Sequence, residues 1–114
     1  MPMGGRGLEQ RIRDELKTLR DAIVQSMPVD QIYLFGSYAR GMPHRDSDID
    51  LYVILPTDAS IRDIDAMKLI RRAIRDKKTM PVDVIVAKRD QFEQRKTGPT
   101  MEREIASEGV VLYG

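Results

Sequence analysis

Acidic and apolar side chains alternate through residues 48–55, and this alternation limits the possible folds more than any other feature of the chain. Asp48 and Asp50 are separated by one residue at the start of an apolar run, in which the intervening positions are Ile49, Leu51, Val53 and Leu55. Because successive side chains of a strand point to opposite faces, one face is continuously apolar and the other carries both carboxylates. We therefore expect the apolar face to pack under helices and the carboxylates, about 6.6 Å apart, to point into an open cleft.

Residues 82–86 repeat this pattern as a third strand, with Asp83 placed between valines. A carboxylate buried there without a partner costs several kcal/mol, but it is tolerated if it lines the same cleft as Asp48 and Asp50. Carboxylates about 5 Å apart on adjacent strands repel by about 3 kcal/mol per pair at an effective dielectric constant of about 20. The cluster therefore needs cations, and two Mg²⁺ ions would neutralise it and leave positive charge for a triphosphate.

A turn of small residues follows the predicted strand 31–35. Gly36 allows the backbone to approach a ligand closely. Ser37 supplies a hydroxyl and can cap a short helix, whose N–H groups would bind phosphate. Arg40, one turn later, can reach a phosphate or pair with an aspartate.

Each of these signals also has an ordinary structural explanation. The aspartates of residues 46–48 are compatible with a turn, Asp83 with a salt-bridged strand edge, and Gly36-Ser37 with a common turn. Their joint occurrence in this order favours one site for phosphate and metal. His44 is interpreted as a solvated loop residue, and Tyr52, on the carboxylate face, either stacks on a base or packs in the core.

The remaining segments predict an α/β fold in which helices cover one mixed sheet. An apolar stripe indicates a first helix; its members are Leu8, Ile12, Leu16, Leu19 and Ile23. A capping box at residues 60–63 predicts the start of a second helix that runs to about Asp76. Residues 89–95 are weakly helical. Residues 99–108 form a last helix, with Pro99 in its first turn and Gly109 as its C-terminal cap, before a short edge strand at residues 110–113.

Composition narrows the class of protein further. A length of 114 residues predicts one domain over 1–114. The chain has no cysteine, which excludes disulfides and thiolate metal sites and fits a reducing cytoplasm. No apolar run approaches the roughly 20 residues that span a membrane. The net charge of +1 provides no basic field, so direct nucleic-acid binding is not favoured.

Gly36-Ser37, ten residues and then Asp48-x-Asp50 resemble the signature of the polymerase-β-like nucleotidyltransferases. The fuller stretch GSYARG…SDIDL resembles the minimal nucleotidyltransferases, as do the segments 81–85 and 108–113, so the resemblance covers nearly the whole chain. It implies a polymerase-β-like palm with a mixed sheet of three to four strands, covered by helices on one face.

The resemblance also implies roles for individual residues. Asp48, Asp50 and Asp83 would be catalytic and hold Mg²⁺. Gly36 and Ser37 would hold the triphosphate of ATP. Asp83 would also act as the base toward the incoming hydroxyl, and Arg40 resembles the nucleotide-binding arginine of the motif.

Members of this family are often antitoxins whose partner is a HEPN-domain toxin, and active members transfer AMP from ATP to a tyrosine of that toxin. Only about 30 residues follow Asp83, too few for the helical acceptor domain of larger relatives. We therefore expect a partner or a second copy of the chain, as a homo-oligomer, to complete the site. The alternatives are an antitoxin with vestigial catalysis that neutralises by binding, and a transferase for an antibiotic or another small molecule.

Overall fold

The computed structural model describes residues 9–44 and 46–114, and these contain one mixed four-stranded sheet in the order β3-β2-β1-β4. The strands are β1 (Gln31–Phe35), β2 (Ile49–Leu55), β3 (Val82–Lys88) and β4 (Val110–Tyr113). The helices are α1 (Gln10–Ser26), α2 (Asp63–Ile74), α3 (Arg89–Arg95) and α4 (Met101–Glu108). β1 is antiparallel to both β2 and β4, whereas β2 and β3 are parallel. The predicted mixed sheet is thereby confirmed.

The larger core lies between one face of the sheet and helices α1 and α2. The alternate apolar residues of β2 are fully buried in it, as predicted: Ile49, Leu51, Val53 and Leu55. The apolar stripe of α1 is buried against them from Ile12 to Ile23, and Leu8 lies outside the described residues. Burial of each large aliphatic side chain contributes about 1.5–3 kcal/mol, so this face determines which side of β2 remains available for the aspartates.

The second face of the sheet also carries helices, which departs from the prediction of helices on one face. Tyr52 and Ile54 of β2 are fully buried there beneath Phe92 of α3 and Ile105 of α4. The reason is that Tyr52 and Ile54, the alternate residues after Asp50, are largely apolar, and burying them under helices removes their surface from water. Of the three aspartates, Asp83 is exposed and Asp48 and Asp50 are half-buried.

Two predicted helix starts are wrong by a few residues. α2 begins at Asp63 with Arg62 at its N-cap and no side-chain cap, so Ser60 forms no capping box. Asp63 and Asp65 lie in the first turn, where acidic side chains are favourable near the positive end of the helix dipole. α4 begins at Met101, after Pro99, because the Thr100 hydroxyl accepts the backbone N–H of Arg103 at 3.2 Å.

The predicted end of α4 is confirmed, since the N–H of Gly109 donates to the carbonyl of Ile105 at 2.8 Å. α2 ends at Ile74, two residues before the predicted end. Within the described ranges, no helix combines the length and apolar character needed to cross a membrane.

Candidate active site

The strand register places Asp50 and Asp83 side by side. Asp50 of β2 is paired with Asp83 of the parallel strand β3, and on its other side it is paired with Phe35 at the end of β1. Residues paired in register point to the same face, so these three side chains form one row across the sheet. Asp48 lies two residues before Asp50, at the entry to β2. Asp83 is exposed, and Asp48 and Asp50 are half-buried.

The three carboxylates interact electrostatically. Partial burial raises the pKa of Asp50 above its usual range, and the negative charges of Asp83 and Asp48 raise this pKa further. Among the described residues, no lysine or arginine forms an ion pair with any of the three aspartates. The site therefore holds uncompensated negative charge, which a bound cation would relieve.

The turn after β1 lies directly against this acidic row. Gly36 has a φ of +77°, and a Cβ atom at this position would overlap Oδ2 of Asp50. Both facts require glycine, because a side chain would be strained by the backbone and would displace the carboxylate. The site thus brings the backbone of the Gly36 turn into contact with the acidic row.

The turn itself is not the short helix predicted from Ser37. Residues 37–41 form successive hydrogen-bonded turns, in which the N–H groups of Ala39 and Arg40 both donate to the carbonyl of Gly36. No acceptor among the described residues takes the backbone N–H of Ser37 or Tyr38. These two donors follow the glycine directly and are available for an anionic ligand.

Arg40, near the end of the turn, pairs with α4 and not with an aspartate. Its guanidinium is 3.5 Å from a carboxylate oxygen of Glu104 in α4, and both side chains are more than half exposed. A surface pair of this kind contributes little stability. The structure therefore brings Asp48, Asp50, Asp83, Gly36 and Ser37 together, and places Arg40 next to them with a different partner.

Tyr52 is packed in the core and does not face the open end of the site. It is fully buried, its ring meets Phe92 edge-on with centroids 5.4 Å apart, and its hydroxyl donates to Oε2 of Glu102 at 2.8 Å. Burial, together with the adjacent Glu102 carboxylate, raises the pKa of this hydroxyl well above its usual value. Of the two sequence interpretations, packing is the one that fits, because a base could not reach the ring.

The sequence analysis missed two polar residues that support the site. Glu102, buried in α4, receives the Tyr52 hydrogen bond and joins α4 to the strand that carries Asp50. Ser47, buried just before Asp48, accepts the backbone N–H of His44 at 2.9 Å and closes the loop into β2. The only signal for Glu102 was its position three residues before the apolar Ile105, on the same face of α4.

The donor set fits a hard divalent ion, because carboxylate oxygens are the ligands that Mg²⁺ prefers. Asp50 is paired in register with Asp83, and Asp48 lies two residues before Asp50. As the side chains stand, no three carboxylate or imidazole groups in the described ranges are arranged to hold a metal ion. Asp48, Asp50 and Asp83 remain the residues that could hold one after side-chain rotation.

Comparison with known proteins identifies the class that this fold and site define. Residues 11–113 match the family described as Nucleotidyltransferase domain. The match covers most of the chain, which therefore belongs to this family of nucleotidyltransferases.

The chain is also similar to the protein adenylyltransferase MntA of Shewanella oneidensis, with 51% identity over 39 residues. That stretch is 34% of this chain and 26% of the relative, so the match spans about a quarter of the relative's length. This similarity confirms the resemblance to the minimal nucleotidyltransferases.

Two solved structures share the fold. A mutant of the toxin-antitoxin MntA-HpeT aligns with a TM-score of 0.64 and 22% identity, covering 87% of this chain and 73% of that one. A toxin-antitoxin structure with AMP-PNP aligns with a TM-score of 0.53 and 25% identity, covering 89% and 73%.

Proposed function

We propose that this chain transfers AMP from ATP to a tyrosine hydroxyl of a partner HEPN-domain toxin, in a Mg²⁺-dependent reaction, and so acts as an antitoxin. The observation that carries the proposal is the contact between two halves of one site. The Gly36 turn, with its available N–H groups, lies against the row that holds Asp50 and Asp83. A phosphate-binding backbone beside clustered carboxylates is the equipment that phosphoryl transfer needs.

Each residue has a role in this reaction. The backbone N–H groups of Ser37 and Tyr38 would bind triphosphate oxygens, where Gly36 permits close approach. Asp48, Asp50 and Asp83 would hold Mg²⁺, which neutralises phosphate charge and orients the phosphoryl group. Without such a cation, the negative row would repel the triphosphate that the turn attracts.

We assign the acceptor side of the site to Asp83, and its exposure on β3, an edge strand of the sheet, supports this role. The tyrosine oxygen would attack the α-phosphorus of ATP while its proton passes to the Asp83 carboxylate. The bond between the α-phosphorus and the bridging oxygen then breaks, pyrophosphate leaves, and the tyrosine carries AMP. We also propose that the protein acts in the cytoplasm. A second copy of the chain could pair at this edge and complete the site.

The relatives support the nucleotide and the kind of partner. MntA of Shewanella oneidensis is a protein adenylyltransferase, and a structure with this fold is a toxin-antitoxin with AMP-PNP. We propose that this chain, too, uses ATP and acts on a toxin. The exposed side chain of Asp83, on the edge strand β3, supports a protein acceptor at this end of the site.

The test is a labelling reaction with ATP labelled at the α-phosphate, Mg²⁺ and the cognate HEPN toxin. We expect label on a toxin tyrosine with the unaltered chain and none with Asp50→Asn. Asp58→Asn, an exposed aspartate outside the site, serves as the control and should label normally. Failure of the unaltered chain to label the toxin would contradict the proposal.

The same proteins distinguish the alternatives. If Asp50→Asn neutralises the toxin as well as the unaltered chain does, neutralisation occurs by binding alone. If label appears on an aminoglycoside and not on the toxin, the acceptor is a small molecule.

A further inference from the structure

The outer face of α2 and the turn that follows it concentrate the positive charge of the chain. Residues 68–78 contain six basic residues and one acidic residue, Asp76, whereas the whole chain has a net charge of only +1. The six cations are all exposed and form what we call the basic patch: Lys68, Arg71, Arg72, Arg75, Lys77 and Lys78. The rest of the chain is therefore net acidic.

The acidic residues at the start of α2 are held by cations outside the basic patch. Asp63 lies 3.2 Å from Nζ of Lys88, and Asp65 lies 2.8 Å from Nε of Arg62. Within the described ranges, no member of the basic patch forms an ion pair. The patch is thus available to the carboxylates of a partner.

The spacing of the cations on α2 opposes helix stability. Lys68 stands three and four residues before Arg71 and Arg72, and Arg75 stands four and three residues after them, so four like-charged pairs share one face. Like charges at these spacings destabilise a helix. The helix dipole favours cations in the last turn, where Arg71 and Arg72 lie, but it does not require further cations beside them.

Helix α1 provides the contrast within the same molecule. Its exposed charges alternate in sign at the same spacings: Arg11, Asp14, Lys17 and Asp21. Opposite charges three or four residues apart stabilise a helix in water without any partner. α1 therefore has the pattern of a solvated face, whereas the charge on α2 is the kind that an acidic partner would neutralise.

The turn that carries the last two lysines is held in place from both sides. The backbone N–H groups of Lys77 and Lys78 both donate to the carbonyl of Ile74 at 3.0 Å. The N–H of Thr79 donates to the buried carboxylate of Glu15 at 2.7 Å. The basic patch is therefore presented on an anchored backbone.

The same turn leads to the end of the sheet that carries the aspartates. The carbonyl of Pro81 accepts the N–H of Ile49, the first residue of β2, at 3.1 Å. Lys78 precedes Asp83 by five residues, so their Cα atoms are at most about 18 Å apart. A protein interface of standard size buries about 800 Å² on each partner, which is a surface roughly 30 Å across. One partner can therefore cover the basic patch and also reach Asp83.

Apolar side chains beside the cations favour a protein partner over a nucleic acid. Ile64 and Leu69 of α2 are 46% and 39% exposed, and Ile64 stands one turn before Lys68 on the same face. Protein interfaces combine apolar contacts with arginine. Residues 62–81 contain no aromatic side chain on which a base would stack.

We propose that the basic patch docks an acidic, partly apolar surface of the acceptor protein and so presents the acceptor tyrosine to Asp83. The inference takes its partner from the proposed function and adds the surface of this chain that selects the partner. Docking beside the aspartates would hold the tyrosine near them, which lowers the entropic cost of alignment. Because the attraction is electrostatic, salt should weaken it.

The test reverses two charges in the basic patch and two charges elsewhere. In Arg71→Glu/Arg72→Glu the four like-charged pairs become oppositely charged, so α2 should stay folded although two cations leave its last turn. The matched control, Lys17→Glu/Arg103→Glu, changes the net charge equally at exposed positions of α1 and α4. Calorimetry with the cognate HEPN toxin measures binding, and circular dichroism checks folding.

We expect Arg71→Glu/Arg72→Glu to weaken toxin binding by about tenfold or more, and the control to bind as the unaltered chain does. Toxin binding by the unaltered chain should also weaken as NaCl is raised. In the labelling reaction, Arg71→Glu/Arg72→Glu should raise the KM for the toxin and leave kcat and the KM for ATP unchanged, because the aspartates and the Gly36 turn are intact.

Toxin binding by folded Arg71→Glu/Arg72→Glu that equals that of the unaltered chain would overturn the inference, as would equal losses in both double variants or no toxin binding by the unaltered chain. If Arg71→Glu/Arg72→Glu loses binding to single-stranded RNA and keeps the toxin, the basic patch is a nucleic-acid site and the inference is wrong. If the unaltered chain binds the toxin through the patch and transfers no AMP to it, the docking surface stands and the proposed function fails.

A second variant decides the matter if Arg71→Glu/Arg72→Glu does not fold. Lys77 and Lys78 are exposed and follow the end of α2, so Lys77→Glu/Lys78→Glu should leave the helix intact. We expect weaker toxin binding in this variant too. Binding equal to that of the unaltered chain would overturn the inference.

Discussion

At the scale of single residues, Gly36 and Asp50 depend on each other. The left-handed backbone of Gly36 brings the turn so close to the Asp50 carboxylate that no Cβ fits between them. The phosphate half and the acidic half of the site therefore share a contact, and a change at either residue affects both.

Gly36→Ala should lower the free energy of unfolding by about 1–2 kcal/mol through backbone strain alone, and it should also displace Asp50 and abolish AMP transfer. Denaturant unfolding and the labelling reaction measure the two effects. The control is Gly98→Ala, since a Cβ at Gly98 meets only atoms at 3.8 Å. Unaltered activity in Gly36→Ala would show that the contact with Asp50 is not needed.

The electrostatics of Asp50 predict a pH dependence of stability in metal-free buffer. Its pKa is raised in the folded state by burial and by Asp83 and Asp48, so the folded state binds its proton more tightly than the unfolded state. This contribution is present at low pH and is lost as pH rises through the folded pKa, above the usual aspartate value of about 3.9.

Asp50→Asn should therefore lose less stability than the unaltered chain as pH rises through that window. Urea unfolding at several pH values with a chelator present is the measurement, and Asp58→Asn is the control. If stability depends on pH in the same way in Asp50→Asn and in the unaltered chain, the raised pKa assigned to Asp50 is wrong.

At the scale of the elements, helix caps determine where α2 and α4 begin. Thr100 caps α4 through its hydroxyl, whereas Ser60, three residues before the first residue of α2, caps nothing. Since α4 supplies Glu102, the partner of Tyr52, its start affects how the helix packs against β2. Glu15 provides a comparable anchor on the other face, where its carboxylate accepts the backbone N–H of Thr79 at 2.7 Å, shortly before β3.

Thr100→Ala should lower the free energy of unfolding by about 1 kcal/mol, the usual cost of a lost N-cap. Ser60→Ala should leave it unchanged, because Ser60 lies outside α2. Urea denaturation of both variants checks the pair. Equal losses in the two variants would mean that the capping box predicted from the sequence does form in solution.

At the scale of the whole molecule, the sheet order brings the site together from distant segments. Asp50 and Asp83 are 33 positions apart in the chain and become neighbours only because β2 and β3 pair in parallel. Uncompensated charge at this junction opposes folding, so a cation bound there should stabilise the entire fold by mass action.

Mg²⁺ should therefore raise the melting temperature of the unaltered chain and of Asp58→Asn, and it should have little effect on a variant that carries both Asp48→Asn and Asp50→Asn. Thermal denaturation over a range of Mg²⁺ concentrations measures this. The same rise in all three proteins would place the ion elsewhere on the surface.

The strands, and the faces on which their side chains lie, were readable from local patterns. The period-two alternation of residues 48–55 predicted the buried face of β2 and the position of Asp50 on the opposite face, because side chains in a strand alternate regardless of context. The helix starts at Asp63 and Met101 were missed by a few residues, since a cap is chosen by competition among neighbouring hydrogen bonds.

The sequence by itself determined which residue types stand where: an acidic pair on one strand, an isolated aspartate on another, and a glycine turn after a third. Only the tertiary structure decided that Phe35, Asp50 and Asp83 form one row, that α3 and α4 cover the second face, and that Arg40 pairs with Glu104. The physical reason is the separation along the chain over which each interaction acts. Strand alternation acts between adjacent residues, whereas strand order, register and the placement of α4 depend on packing between segments far apart in the chain.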